Sequence, residues 1–190
     1  MNKLVIALSA ALSLGAVASA NAQTGTVNFT GSIVANTCTV DLGGGSATRT
    51  IALSPITADA LKADPAAGST PFTVTLNSGA AGTPACDGDT TELLVRKSGL
   101  TPDGRIPNTH THVVGDPAAG AVVELVRVNG ATKTRLNLQT DKLTATTANV
   151  GTPVRREAKF DFEARYLDDG VNALRGGTYT GAMIFDVANY

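Results

Sequence analysis

The sequence predicts an all-β fold, an antiparallel sandwich, from three observations. Short runs with an apolar residue at every second position recur along the chain. Glycine (20) and proline (8) punctuate them. No long stretch repeats apolar residues at the helical period.

The elements follow in order. Thr26–Thr30 alternates, with Val27 and Phe29 on one face, and Ser32–Val40 continues as strand past Cys38. Thr48–Leu53 and Pro71–Leu76 alternate in the same way. Ile56–Lys62 is the exception: it holds helix formers and stops near Asp64-Pro65, which predicts a single helical turn. Glu92–Lys97 and Ala121–Val128 are further strands. Asn129-Gly130 then predicts a two-residue hairpin turn, because both residues tolerate positive φ, and Thr134–Leu138 returns. Lys159–Tyr166 and Thr178–Val187 complete the set. Loops rich in Gly, Ala, Pro and Asp fall at 43–47, 64–70, 78–90, 101–120 and 168–177.

The start of the chain sets the expected compartment. Lys3, the apolar run Leu4–Ala18 and the small residues Ala18–Ala22 form the three-part pattern of a secretory signal peptide. The apolar run is shorter than the ~20 residues of a spanning helix. Cleavage after Ala22 leaves 168 of the 190 residues, with 14 basic and 16 acidic side chains and a net charge of −2. Nothing in that balance calls for nucleic acid or an anionic membrane surface. Cys38 and Cys86 both lie in the exported part, where an even count favours a disulfide over free thiols. A bridge of that span is worth about 4 kcal/mol on the chain-entropy account. Metal ligation is the weaker alternative, since no further Cys or flanking His completes a site.

Four stretches resemble one family. Gly25–Cys38 is a Gly-rich alternating segment leading to a first cysteine. Thr50–Thr57 resembles a second strand, Phe162–Tyr166 an F-x-A-R-Y signature, and Gly177–Val187 a final strand. In that order, after a signal peptide and with two cysteines, they resemble the pilins of the chaperone–usher pathway, most closely the major subunit of type 1 fimbriae. The resemblance implies an immunoglobulin-like antiparallel sandwich that lacks its last strand and is completed by a donor strand from a neighbouring subunit. It divides the chain into a signal peptide (1–22), a donor extension (23–31) and a pilin domain (32–190). Gly25, Val27, Phe29 and Gly31 become the donor face. Tyr179, Gly181, Met183, Phe185, Val187 and the terminal Tyr190 become the groove strand that a chaperone also grips. The implied disulfide joins the first strand, at Cys38, to the region of Cys86. The implied partners are identical or related pilins, a periplasmic chaperone and an outer-membrane usher. The implied location is an extracellular fimbrium reached through the periplasm. The family usually has Tyr in the penultimate place; here Asn189 holds it.

Other chemistry is weakly supported. His110 and His112 share a strand face but lack a third ligand. The serines sit in turns without a G-x-S-x-G elbow, and Gly43–Gly45 is followed by no lysine. Arg165 and Tyr166 read as packing. The expected function is therefore a structural, non-enzymatic polymer subunit without cofactor that supports cell adhesion. A secreted carbohydrate-binding β-sandwich adhesin is the alternative, disfavoured by three Tyr, five Phe and no Trp.

Overall fold

The computed structural model describes residues 38–42, 46–77, 86, 88–110, 118–152 and 154–190, all within the compact unit Ile33–Tyr190. The expected strand Thr26–Thr30, the donor residues Gly25, Val27, Phe29 and Gly31, and the signal segment lie outside the described residues, as does His112.

The architecture grows from the strand with the strictest alternation. β9 (Arg155–Asp168) buries Ala158, Phe160, Phe162 and Ala164 on one face. Its other face is polar: Asp161 accepts the Thr73 hydroxyl at 2.6 Å. Glu163 accepts the Ser69 hydroxyl at 3.0 Å and pairs with Lys133 at 2.6 Å. One edge of β9 pairs with β2 (Thr70–Asn77), Val74 opposite Phe160. The other pairs with β5 (Ala121–Asn129), Leu125 opposite Ala164. β1 (Thr39–Asp41) extends the sheet beyond β2, and β4 (Ile106–Pro107) beyond β5. β6 (Thr132–Arg135) joins β5, and β8 (Ala148–Val150) joins β9. A second sheet has the order β10–β3–β7, from Phe185–Asn189, Thr90–Val95 and Leu143–Thr146. Every pairing is antiparallel.

The core lies between the sheets, where Val74, Leu76, Phe160 and Phe162 of the first meet Leu93, Leu143 and Val187 of the second. Phe162 packs against Phe72 with the rings tilted and their centroids 5.3 Å apart. Arg127 also points inward, its guanidinium 4.6 Å from the Phe160 ring; burial lowers its pKa. β5 is buried on both faces: on the outer side Val122 and Val126 are buried beside Glu124, which is roofed by two arginines. Its carboxylate binds Arg135 at 2.7 Å and Arg165 on the opposite oxygen. Arg165 of the F-x-A-R-Y signature is thus a structural ion-pair partner.

Several expectations shift. The helix, α1, is Ala58–Ala63, capped by the Thr57 hydroxyl, which accepts the Ala60 amide at 3.1 Å. The hairpin loop sits one residue later than expected. Asn129 still pairs, with Thr132, so the loop is Gly130-Ala131 and only Gly130 has positive φ, at 58°. One positive φ at the first loop position suits a type II′ turn, which the glycine satisfies alone. The short strands β4, β7 and β8 carry too few residues for an alternation signal.

The largest departures are Thr48–Leu53 and Thr178–Val187. Thr48–Leu53 enters no ladder among the described residues, and Thr178–Val187 is laddered only from Phe185 onward. Both border the same gap.

Candidate functional site

Between these two segments the sandwich is open. The groove has a volume of about 740 Å³. Phe72, Ile106, Val123, Leu125, Ala164 and Tyr166, from the inner face of the first sheet, form its floor. Ile51 and Leu53 stand on one wall; Tyr179, Gly181, Met183 and Phe185 stand on the other. The peptide groups of Thr50–Leu53 and of Gly181–Met183 make no hydrogen bond to any described residue. Unpaired backbone along an apolar trough is a template for an extended chain.

What holds the second wall open is visible at both ends. The Thr109 amide donates to the Thr180 carbonyl at 2.7 Å and the Ala118 amide to the Thr178 carbonyl at 2.9 Å. Asn108 reinforces this through its side-chain amide, donating to Ala118 and Thr178 carbonyls and accepting the Thr180 amide. At the other end the Arg96 amide donates to the Ile184 carbonyl at 2.8 Å. The wall is therefore tied on its outer side and free on its inner one.

Tyr179 closes one end of the groove. Its hydroxyl donates to the Ile106 carbonyl at 2.8 Å, and its ring meets Tyr166 edge-on at 5.6 Å. Burial and the neighbouring Tyr166 push the Tyr179 phenol well above its usual range. Beyond the tyrosine pair a smaller recess of about 260 Å³ lies against α1, lined by Leu53, Ile56, Leu61 and Leu174. Gly181 is needed here, because a Cβ would collide with the Tyr179 hydroxyl and the Ile106 side chain.

Four of the expected groove residues, Tyr179, Gly181, Met183 and Phe185, line this opening. The other two sit elsewhere. Val187 is buried in the core opposite Leu93. Tyr190 is exposed past the end of β10, exchanging backbone hydrogen bonds with Thr90 and donating its hydroxyl to Glu92 at 3.0 Å.

Sequence reading gave Asn189 no role, yet its side chain is buried. Its carbonyl oxygen accepts the Gly88 amide at 2.6 Å, and its amide donates to the Thr91 hydroxyl at 2.9 Å and the Thr90 carbonyl at 3.2 Å. The available signal was parity: Asn189 shares the inward face with Phe185 and Val187. Cys38 and Cys86 form a disulfide, with Cys86 buried. His110 stands beside Asn108, its side-chain Nε2 buried without a partner among the described residues. No group of three metal-ligating side chains occurs among the described residues. A second, more open recess of about 860 Å³ lies among loops and strand ends within 101–108, 118–122 and 169–175, where Asp103 pairs with Arg105 at 2.8 Å.

The fold is shared with known structures. A subunit from the structure of a chaperone–usher pilus, described for the basis of rod uncoiling, is 15% identical with a TM-score of 0.51, over 89% of this chain and 97% of its own. The P pilus rod subunit PapA is 11% identical with a TM-score of 0.50, over 81% and 99%. The chain has the immunoglobulin-like fold of pilus subunits. No protein-family model and no curated protein sequence matches it.

Proposed function

We propose that this chain is a structural subunit of a bacterial fimbria, polymerising by donor-strand complementation. The observation behind this reading is the groove: an apolar trough whose two walls have strand-like sequence but lack ladder partners among the described residues. An extended segment laid between Thr50–Leu53 and Gly181–Met183 would satisfy both backbones and cover the floor. Main-chain hydrogen bonds then supply affinity, and alternate side chains supply fit.

The donor is the segment 23–31 of another copy. Gly25, Val27, Phe29 and Gly31 share one face of an extended chain. Val27 and Phe29 contribute about 1.5–3 kcal/mol each on full burial. Before assembly a periplasmic chaperone occupies the groove, and an outer-membrane usher exports the subunit to the growing fimbrium, which serves adhesion. The likeness to pilus rod subunits supports this assignment.

The test is a pair of variants. Deleting 23–31 leaves chaperone capture intact and abolishes subunit linkage. Grafting 23–31 after Tyr190 through a short flexible linker makes donation intramolecular, at an effective concentration near millimolar. The grafted chain unfolds cooperatively as a monomer without chaperone. A deleted chain that is already a stable monomer overturns the reading.

A further inference from the structure

Resting on that reading, we infer that the Cys38–Cys86 bridge is a tension shunt, which keeps load on the N-terminal extension away from the wall of the groove. In a donor-linked polymer each subunit is pulled at two places. Its own extension, held by one neighbour, pulls at Cys38, and the donor in its groove pulls between the two walls. The chain order makes these places neighbours. After Cys38 come β1, then the wall segment Thr48–Leu53, then α1 and β2.

β1 is a weak anchor beyond Cys38. Among the described residues it holds β2 through three residue pairs, Thr39–Asn77 to Asp41–Thr75. Next in line, Thr50–Leu53 has no backbone hydrogen bond to any described residue. Tension passing through β1 would peel it from β2 and then strip the wall, opening the groove that holds the next donor. A pull on one link would release the following one.

The bridge diverts the load at the first described residue. Tension reaching Cys38 crosses to Cys86, which is buried. Cys86 is well anchored in both chain directions. Towards the N-terminus is β2, paired with β9 over eight residues. Towards the C-terminus is Gly88, clasped by the Asn189 side chain at its amide and carbonyl and by the Arg156 guanidinium at its carbonyl. Thr90 and Tyr190 then exchange backbone hydrogen bonds at 2.9 and 3.0 Å. Load therefore enters β3 and the end of β10, whose start forms the opposite wall. Gly88 permits the close approach: a Cβ there would meet the Tyr190 backbone. Asn189 is a positioning residue in this path.

The test is single-molecule stretching of the grafted chain, pulled from a handle ahead of Cys38 and from the free end of the graft. This reproduces the polymer's loading. The bridged chain shows one rupture with no earlier lengthening. Replacing both cysteines by serine adds an early, weaker extension of about 110 Å, the slack from Cys38 to Thr70 at ~3.5 Å per residue. If that variant does not fold, the bridged chain is pulled from a handle at Ser46 instead, past the bridge. The early step then appears at about 80 Å, from Ser46 to Thr70, although the disulfide is intact. Asn189→Ala, with the bridge kept, lowers the rupture force without the early step. A Ser46 handle that gives the same single rupture as the terminal handle overturns the shunt. A grafted chain that lacks cooperative unfolding before any pulling overturns the donor reading, and the shunt with it.

Discussion

Phe185→Asp separates the groove from the core. Phe185 lines the opening and is half-buried, whereas Val187, two residues on, is in the core. Full burial of a Phe side chain is worth up to about 3 kcal/mol; Phe185 is already partly covered, so a donor strand adds about 1 kcal/mol there. A carboxyl group enclosed in the same apolar trough, taking up a proton rather than staying charged, costs a further 1–3 kcal/mol or so as an unpaired polar group. Together the change weakens closure by about 3 kcal/mol, a lowering of roughly 6–12 °C in the thermal midpoint for a chain of this size. The assay is thermal unfolding of the grafted chain, with Phe185→Leu as control, which stays within about 3 °C of the parent. Val187→Asp behaves differently: it places a carboxylate opposite Leu93 inside the body, so the subunit is lost from the periplasm before any donor matters. A grafted Phe185→Asp chain that melts within about 2 °C of the parent would refute the reasoning, because no donor then covers Phe185.

Three further outcomes follow from named contacts. Glu124→Ala leaves the largely covered Arg165 without its carboxylate, while Arg135 is exposed enough to reach water. The expected loss is about 3 kcal/mol, near the low end for breaking a buried pair, read by urea unfolding of the grafted chain; a loss under about 0.5 kcal/mol contradicts the roofed-carboxylate account. Tyr179→Phe flattens the alkaline limb of stability: a raised phenol pKa gives stability that is present below the ordinary value of about 10 and lost as pH rises through it. Parent and Tyr179→Phe curves that coincide from pH 9 to pH 11.5 sink that expectation. On the acid side, Lys133 lowers the Glu163 pKa chiefly by hydrogen bonding, and the Asn172 backbone amide does so for Asp169. Their stabilisation is present above the usual carboxylate range and lost below about pH 4. Glu163→Gln should make the acid limb shallower, which circular dichroism against pH checks.

Much of the body was legible. Pro71–Leu76, Ala121–Val128 and Lys159–Tyr166 became the three central strands with bounds moved by a few residues. β2 and β9 bury alternate side chains, so period 2 is written into them. β5 needed more than its pattern. Glu124 lies in a strand buried on both faces, and only its arginine partners on β6 and β9 explain a carboxylate there. The turn at Gly130 slipped by one because Asn and Gly are both tolerant, and the pairing of Asn129 with Thr132 decided the register. Asn189 was missed because a polar residue at a strand end reads as exposed. Its burial depends on Gly88, about a hundred residues away in sequence.

The two segments where strand patterning outran strand structure explain the site. Thr48–Leu53 and Tyr179–Ile184 alternate as convincingly as β2 does. Alternation records which face of a chain is apolar; a ladder also requires a neighbour on each side. Phe185–Asn189 has β3 beside it and is laddered, while the same strand loses its ladder where the opening begins. The side chains of Met183 and Phe185 still point into the sandwich, so the local pattern is intact and only the pairing is missing. A loop would behave differently, because its polar backbone would face water and its side chains would show no period. Two strand-like sequences that face each other across an apolar floor, each without a ladder partner on the groove side among the described residues, therefore mark a vacancy in the pairing. The proposed donor is the alternating segment Gly25–Gly31, and the chain after it reaches the described body at Cys38, immediately before β1, the edge strand beside β2. On the proposed donor assignment, a segment that leaves from one place and a vacancy that opens at another would make a heterologous contact, the kind that extends into an open chain of subunits rather than a closed pair.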